Sequence, residues 1–125
     1  MTNVDSRFEA LQIRYHAALP GKRAEIIQAW QAVRMDCADA ESQQTLLRLV
    51  HRLAGSAESY GFAEIGRHAA RMDLLLDQVR SSGDPVQRAA AMCAMLDTLS
   101  HDIQALLVEL KRSIDSNPAN ECPVA

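Results

Sequence analysis

The stretch HRLAGSAESYGFAEIGRHAARMD, His51–Asp73, joins the end of one segment with helical apolar spacing to the beginning of another. The spacing before it predicts a helix that begins near Ser42 and ends around 59–61, where Gly61 is a typical C-terminal stop. The spacing after it predicts a helix over about 62–80. Because the connection is short, we expect these two long amphipathic helices to be antiparallel neighbours.

On either side of this stretch, the apolar spacing predicts three further helices, over about 5–19, 22–38 and 85–114. Pro20 and Gly21 end the first and shortest of them. At the start of the last and longest, Asp84 supplies an N-cap and Pro85 occupies the first helical position. The chain up to about residue 114 is therefore expected to be helical.

Composition supports helix-on-helix packing. Hydrophobic residues make up 48% of the 125 but aromatic residues only 4%, so the core must consist of Leu, Ile, Val, Ala and Met side chains. We therefore predict an all-α fold, an antiparallel up-down four-helix bundle with an additional short N-terminal helix. Residues 1–114 are expected to form a single domain and residues 115–125 a flexible C-terminal tail.

Charge and hydropathy exclude several classes of protein. The net charge is -3, and no basic block is present that would neutralise a row of phosphates, so nucleic acid is not an expected partner. No apolar run approaches the length of a membrane span, and no secretory leader is evident. We expect a cytoplasmic monomer without membrane association.

The three cysteines, Cys37, Cys93 and Cys122, are far apart, odd in number and without a CxxC arrangement. Such spacing predicts neither a disulfide framework nor a zinc knuckle, and it favours a reducing compartment. The four histidines form no pair at three- or four-residue spacing. No metal site is therefore predicted.

A histidine followed by a glycine is unexpected inside a helix, because an internal glycine costs roughly 1 kcal/mol relative to alanine. His51 lies about 100° around the helix from Val50, beside the apolar stripe, so we expect it to be partly exposed. Ala54 and Gly55 follow on the same face, and then Glu58, so the imidazole is open to another protein. The alternative is a boundary histidine beside a glycine that lets two helices pack closely.

The same stretch resembles the signature of histidine-containing phosphotransfer (HPt) domains, roughly H-x-[LF]-[KR]-G-[SA]-[SA]-x-x-x-G followed by x-x-x-[LI]-x-x-x-[AC]-x-x-[LM]-[ED]. The residues that fit are His51, Leu53, Gly55, Ser56, Ala57, Gly61, Ile65, Ala69, Met72 and Asp73. The resemblance implies the family's helical bundle over nearly the whole chain. Leu53, Ser56, Ala57 and Gly61 are then structural residues of the motif.

The resemblance also implies a function for His51. It would accept a phosphoryl group from the phospho-aspartate of a receiver domain and pass it to another receiver, in a two-component multistep phosphorelay. Imidazole suits this role because its unperturbed pKa of about 6.5 leaves much of it neutral and nucleophilic near pH 7. The implied partners are receiver domains of response regulators or hybrid histidine kinases. No cofactor is expected on this chain, because Mg²⁺ would come with the receiver.

Two positions decide how the predicted site works. Asp73 stands where the family has a polar residue facing the histidine, so it is expected either to orient the imidazole or to be a solvated surface charge. Ala54 stands where the family usually has Lys or Arg, so a cation is missing there. Arginines that would compensate are Arg48, Arg52, Arg67 and Arg71, with Arg48 and Arg52 favoured. The predicted binding residues are Arg48, Arg52, Ala54, Gly55, Glu58 and Arg67.

Other functions stay open at this point. One is a phosphorylation-independent adaptor or inhibitor that docks a receiver or a histidine kinase with the same surface. Another is a helical bundle of unrelated function in which the motif matches by chance; a buried His51 would favour it. An autonomous kinase is not expected, because no phosphate-binding glycine-rich loop is present.

Overall fold

The computed structural model describes residues 3–116, and this part of the chain is helical. Its α-helices are α1 Asn3–Met35, α2 Ala40–Ser56, α3 Ala63–Arg80, α4 Pro85–Ala94 and α5 Leu96–Asp115. A 3-10 turn, Glu58–Tyr60, lies between α2 and α3. Within residues 3–116 there is no strand, which agrees with the all-α prediction. No helix in that range is long and apolar enough to cross a membrane.

Helix α1 corrects the prediction of two helices separated at Pro20 and Gly21, and with it the prediction of an additional short N-terminal helix. It continues through Pro20, although a proline inside a helix costs about 3 kcal/mol. Tyr15 and Leu19 before the proline and Ile26 after it are all buried, and α1 packs against α2 and α5. Burial on both sides of the proline outweighs the local cost and keeps the helix continuous.

The helix predicted over 85–114 is divided in two. Its start is as predicted: the Asp84 carboxylate accepts a hydrogen bond from the Gln87 backbone (2.8 Å), and the Gln87 side chain accepts one from the Asp84 backbone (2.9 Å). Pro85 is the first helical residue. The chain leaves the helix at Met95, which lets α4 pack on α2 and α3 while α5 packs on α1 and α3.

Local interactions fix both ends of α2. Asp39 caps the N-terminus by accepting a hydrogen bond from the Ser42 backbone (3.0 Å). Hydrogen bonds from the hydroxyl and the backbone of Ser42 hold the pKa of Asp39 below its usual value. Beyond the other end, Gly61 adopts a left-handed conformation with φ of 88°, which favours glycine. The predicted stop at Gly61 is confirmed, although α2 itself ends at Ser56 and the 3-10 turn covers the interval.

One hydrophobic core connects α1, α2, α3 and α5. Its buried side chains are Tyr15, Leu19, Ile26, Ala29, Trp30, Val33, Leu46, Val50, Leu53, Ala57, Ile65, Ala69, Met72, Leu76, Val79, Met92, Leu99, Ile103, Leu106, Leu107 and Leu110. Helix α4 contributes Met92 alone to this set. On α2, the inward face consists of Leu46, Val50 and Leu53, so the residue after Val50 points away from the core.

A disulfide joins Cys37, in the turn between α1 and α2, to Cys93, near the end of α4, with the Cα atoms 5.2 Å apart. This bond contradicts the prediction of no disulfide. The cysteines are 56 residues apart in sequence, and they meet only because α4 folds beside the α1–α2 turn. Cys122 lies outside the described residues, as does the predicted tail beyond Ser116, whereas Asp115 still belongs to α5.

Candidate functional site

Helix α2 presents His51 to solvent. Burial of Val50 and Leu53 against the core fixes the rotation of the helix. The His51 side chain is 74% exposed as a result. An accessible imidazole, as expected from the helical spacing, is therefore present.

Asp73 on α3 contacts one side of the imidazole. Its Oδ2 lies 3.0 Å from Nδ1 of His51, and its side chain is only 25% exposed. Because a carboxylate only accepts hydrogen bonds, this contact favours the tautomer with the proton on Nδ1. The other ring nitrogen, Nε2, then carries the free lone pair, and it makes no hydrogen bond within the described part of the chain.

The open space beside His51 is maintained by a small residue that packing within the chain does not require. A Cβ atom added to Gly55 would meet no heavy atom within 4 Å. By contrast, a Cβ added to Gly66 on α3 would lie 3.3 Å from Cβ of Glu58. Close packing therefore explains Gly66 but not Gly55. Next to Gly55, Ala54 is half-buried, and Glu58 is exposed.

A hollow of about 460 Å³ adjoins His51 between α2 and α3. It is lined by Gln44, Leu47, Arg48, His51, Asp73, Asp77 and Arg80. Four of these residues were not predicted from the sequence: Gln44, Leu47, Asp77 and Arg80. Residues three or four positions apart lie on the same face of a helix. Counting back from His51 along α2 in such steps reaches Leu47 and Gln44, and counting forward from Asp73 along α3 reaches Asp77 and Arg80.

The two arginines in this hollow differ in their electrostatic surroundings. Nη2 of Arg80 lies 2.6 Å from Oδ1 of Asp77, so its charge is balanced by a neighbour. Arg48, one helical turn before His51, has neither an ion-pair partner nor a side-chain hydrogen bond among residues 3–116. Arg48 is therefore an uncompensated cation beside the imidazole.

The other arginines considered from the sequence lie elsewhere. Arg52 lines a separate hollow beside α1. Arg67 is paired with Glu64, and Nε of Arg71 lies 3.1 Å from Oδ1 of Asp102. None of the three lines the hollow beside the imidazole. The structure brings Arg48, and not these arginines, to the site.

The remaining motif residues serve the fold. Leu53 and Ala57 belong to the core. Oγ of Ser56 donates a hydrogen bond to the Arg52 carbonyl (2.8 Å) and lies 2.7 Å from the Tyr15 hydroxyl. Burial raises the pKa of that hydroxyl, and the hydrogen bond with Ser56 opposes the shift. These contacts attach α1 to the end of α2 that carries the site.

The arrangement contains a nucleophilic nitrogen, a carboxylate and a free guanidinium. Residues 3–116 hold no group of three or more His, Cys, Asp or Glu side chains placed to bind a metal ion. Another histidine, His16, has its own contact, with Nε2 2.8 Å from the Ser113 carbonyl. Chemically, the arrangement suits transfer of a group to and from Nε2 of His51.

Comparison with known proteins agrees with this geometry. The family model for the Hpt domain matches residues 14–111, a range that contains both His51 and Asp73. No curated protein and no solved structure matches the chain. The family match covers most of the chain, including all of α2 and α3. With the imidazole exposed on the helix where the motif requires it, the chain belongs to the Hpt domain family.

Proposed function

We propose that this protein is a histidine phosphotransfer protein of a two-component multistep phosphorelay. It accepts a phosphoryl group on His51 from the phospho-aspartate of a receiver domain and passes it to another receiver. Hpt domains generally act in phosphorelays and interact with receiver domains. The observation that carries the proposal is the exposed imidazole, with Nδ1 3.0 Å from Asp73 and Nε2 free.

The chemistry follows from the tautomer. Nε2 of His51 attacks phosphorus while the bond between phosphorus and the receiver aspartate breaks, and that aspartate leaves as a carboxylate. Nδ1 keeps its proton, so the phosphorylated ring gains positive charge. The Asp73 carboxylate faces this charge and stabilises it. Transfer to a second receiver reverses these steps, and Mg²⁺ is supplied by the receiver.

Asp73→Ala is expected to slow transfer to His51 about tenfold, because a hydrogen bond to a charged group contributes about 1.5 kcal/mol and each 1.4 kcal/mol changes a rate tenfold. Single-turnover transfer from a phosphorylated receiver measures this rate. Asp73→Asn keeps an acceptor oxygen and should retain more of it than Asp73→Ala. Equal rates in the wild type and Asp73→Ala would rule out a positioning role.

In this proposal Arg48 supplies the positive charge that Lys or Arg usually supplies at the position of Ala54. An incoming phosphoryl group carries negative charge on its oxygens, and a guanidinium matches them well. Arg48 lines the hollow beside His51 and is uncompensated within residues 3–116. Arg80 lines the same hollow but is neutralised by Asp77.

Arg48→Ala is expected to slow transfer about fivefold, corresponding to loss of about 1 kcal/mol from one exposed charge contact. Arg52→Ala is the matched comparison, because it removes the same charge from the same helix but from a different hollow. It should change the rate by less than about twofold. Transfer rates at low and high salt measure both effects, and a larger loss in Arg52→Ala would assign the cation to Arg52 instead.

The proposal extends to partners and architecture. Receiver domains dock over the face formed by α2 and α3, where Gly55 leaves open space and Leu74, next to Asp73, is 69% exposed. The protein is a cytoplasmic monomer with a single domain over residues 1–114. Neither nucleic acid nor membrane is a partner. An antiparallel up-down order of α1, α2, α3 and α5 is supported by the packing of α2 and α5 on both α1 and α3.

The test is transfer of labelled phosphate from a panel of phosphorylated receivers, with Mg²⁺ present, to the full chain. Acid-labile label on the protein is the expected result. If receivers bind the folded protein and no label transfers, the phosphocarrier proposal fails for those receivers.

Ala54 favours one second candidate, a phosphorylation-independent adaptor or inhibitor that docks a receiver or a histidine kinase. Loss of the usual cation at this position is what relaxed chemistry would leave behind. In that case His51→Ala leaves both partner binding and its regulatory effect in place, whereas a phosphocarrier loses its effect.

A further inference from the structure

The Cys37–Cys93 disulfide holds a helix that is otherwise weakly anchored. In α4, Met92 is 1% exposed and belongs to the core, but Val86 is 78% exposed. Met92 is the one fully buried core side chain that α4 supplies, and Ala91 packs against the core while only partly buried. Loss of the disulfide is therefore expected to loosen α4 while the rest of the bundle stays folded.

Helical structure is interrupted on both sides of α4. Gly83, before the helix, has φ of 117°, in the region that favours glycine. Met95 separates α4 from α5. Close to this second break, Cys93 is bonded to Cys37, whose carbonyl accepts a hydrogen bond from Nε2 of Gln43 on α2 (2.8 Å). The disulfide thus fastens the C-terminal end of α4 to the start of α2.

Helix α4 also forms one wall of a second hollow, of about 310 Å³, through Arg88 and Met92. Gln44, Leu47 and Arg80 line this second hollow and also the hollow beside the imidazole. The two hollows are therefore neighbours along the groove between α2 and α3. A displacement of α4 would remove one wall of the second hollow, which the shared side chains also line.

We propose that Cys37–Cys93 is a thiol–disulfide exchange site that controls how firmly α4 is held and, through α4, how tightly a receiver docks beside His51. The docking part rests on the proposed function. The disulfide form supports the groove. In the dithiol form the groove residues must be ordered during docking, which weakens binding of the receiver.

The reactant is a dithiol reductant. One of its thiolates attacks a cysteine sulfur, the bond between Cys37 and Cys93 breaks, and a mixed disulfide forms. The second thiol of the reductant then displaces the protein sulfur. Two electrons and two protons pass to the protein, which leaves two cysteine thiols and an oxidised, cyclic reductant. Both cysteines are only partly buried, so the bond is open to attack.

The redox state of the compartment determines whether thiol–disulfide exchange at this pair can act as a switch. Disulfides in cytoplasmic proteins are usually transient and catalytic or redox-sensing. In the proposed cytoplasmic location the dithiol form is favoured, and the disulfide form is produced transiently by oxidation.

The test compares the full chain in disulfide form, the same chain reduced with dithiothreitol, and the double variant Cys37→Ser/Cys93→Ser, all in a Cys122→Ser background to remove the third thiol. Hydrogen exchange is measured along the chain, and the affinity for an unphosphorylated receiver is measured by calorimetry. Reduction is expected to speed amide exchange in 85–94 at least about tenfold more than exchange of the inward-facing amides of α2, which change only as far as the global free energy of unfolding falls, and to weaken receiver binding at least about threefold. The double variant should show the same amide exchange and receiver affinity as the reduced protein, and dithiothreitol should change neither.

Unchanged amide exchange in α4 after reduction would overturn the proposal. Exchange that rises equally in all helices would also overturn it, because the disulfide would then stabilise the whole fold and not α4 in particular. Receiver affinity that is the same in both forms would also overturn it. Failure of the proposed phosphotransfer function can be distinguished from failure of this proposal. A protein that takes no label in either form, while exchange in α4 and receiver affinity still respond to reduction, loses the phosphocarrier function and keeps the switch.

Discussion

His51→Gln is expected to abolish acid-labile phosphorylation by receivers and to leave the fold intact. The amide of Gln has no nucleophilic nitrogen, so no step can replace the attack by Nε2. The fold is unaffected because the His51 side chain is 74% exposed, and substitutions at such positions change stability by about 0.5 kcal/mol or less. Labelled transfer and a thermal unfolding curve, measured on the same preparation, check both parts.

The matched control is His101→Gln, which changes an exposed histidine on α5 outside the site. It should accept label at the wild-type rate. Label that persists in His51→Gln, or that disappears in His101→Gln, would assign the acceptor to a different residue. A His51→Gln protein that unfolds would contradict the placement of the imidazole outside the core.

Cys37→Ser/Cys93→Ser is expected to lower the free energy of unfolding by about 4 kcal/mol relative to the disulfide form, because the bond closes a long loop and restricts the unfolded chain. The bonded cysteines are 56 residues apart. Urea unfolding in a Cys122→Ser background measures the difference. The slope with urea should also fall in the disulfide form, whose unfolded state is more compact.

Dithiothreitol provides the internal control for this second prediction. It should lower the stability of the disulfide form to that of the double variant and leave the double variant unchanged. A difference below about 1 kcal/mol between the two forms would mean that the bond does not restrict the unfolded chain in the expected way.

Local sequence was sufficient to predict a helix end wherever a single residue type determines the backbone conformation. Gly61 ends the α2 region with a positive φ, and Asp84 and Pro85 start α4. The helix predictions at Pro20 and Met95 were wrong, because tertiary packing overrode the local sequence preference at both positions. It removed a predicted break at Pro20 and introduced an unpredicted one at Met95. At Pro20 burial on both sides keeps a helix that the local preference would break, and at Met95 packing on different neighbours breaks a helix that the apolar spacing would continue.

The site divides in a similar way. Helical geometry located His51 beside the core stripe, and the resemblance to HPt domains pointed to Asp73. The 3.0 Å contact between them depends on how α2 and α3 pack, as does the choice of Arg48 over Arg52. Both arginines line hollows beside α1, and only Arg48 also lines the hollow between α2 and α3 that contains His51.

The sequence by itself determined an all-helical chain, an exposed histidine on the second long helix and membership of a family, because these depend on helical periodicity and on a motif confined to neighbouring residues. The tertiary structure decided the continuity of α1, the pairing of Cys37 with Cys93 and the grouping of Arg48, Asp73 and His51 in one hollow. These features join residues that are distant along the chain. Their proximity is a consequence of helices packing to bury a shared core, which no local pattern encodes.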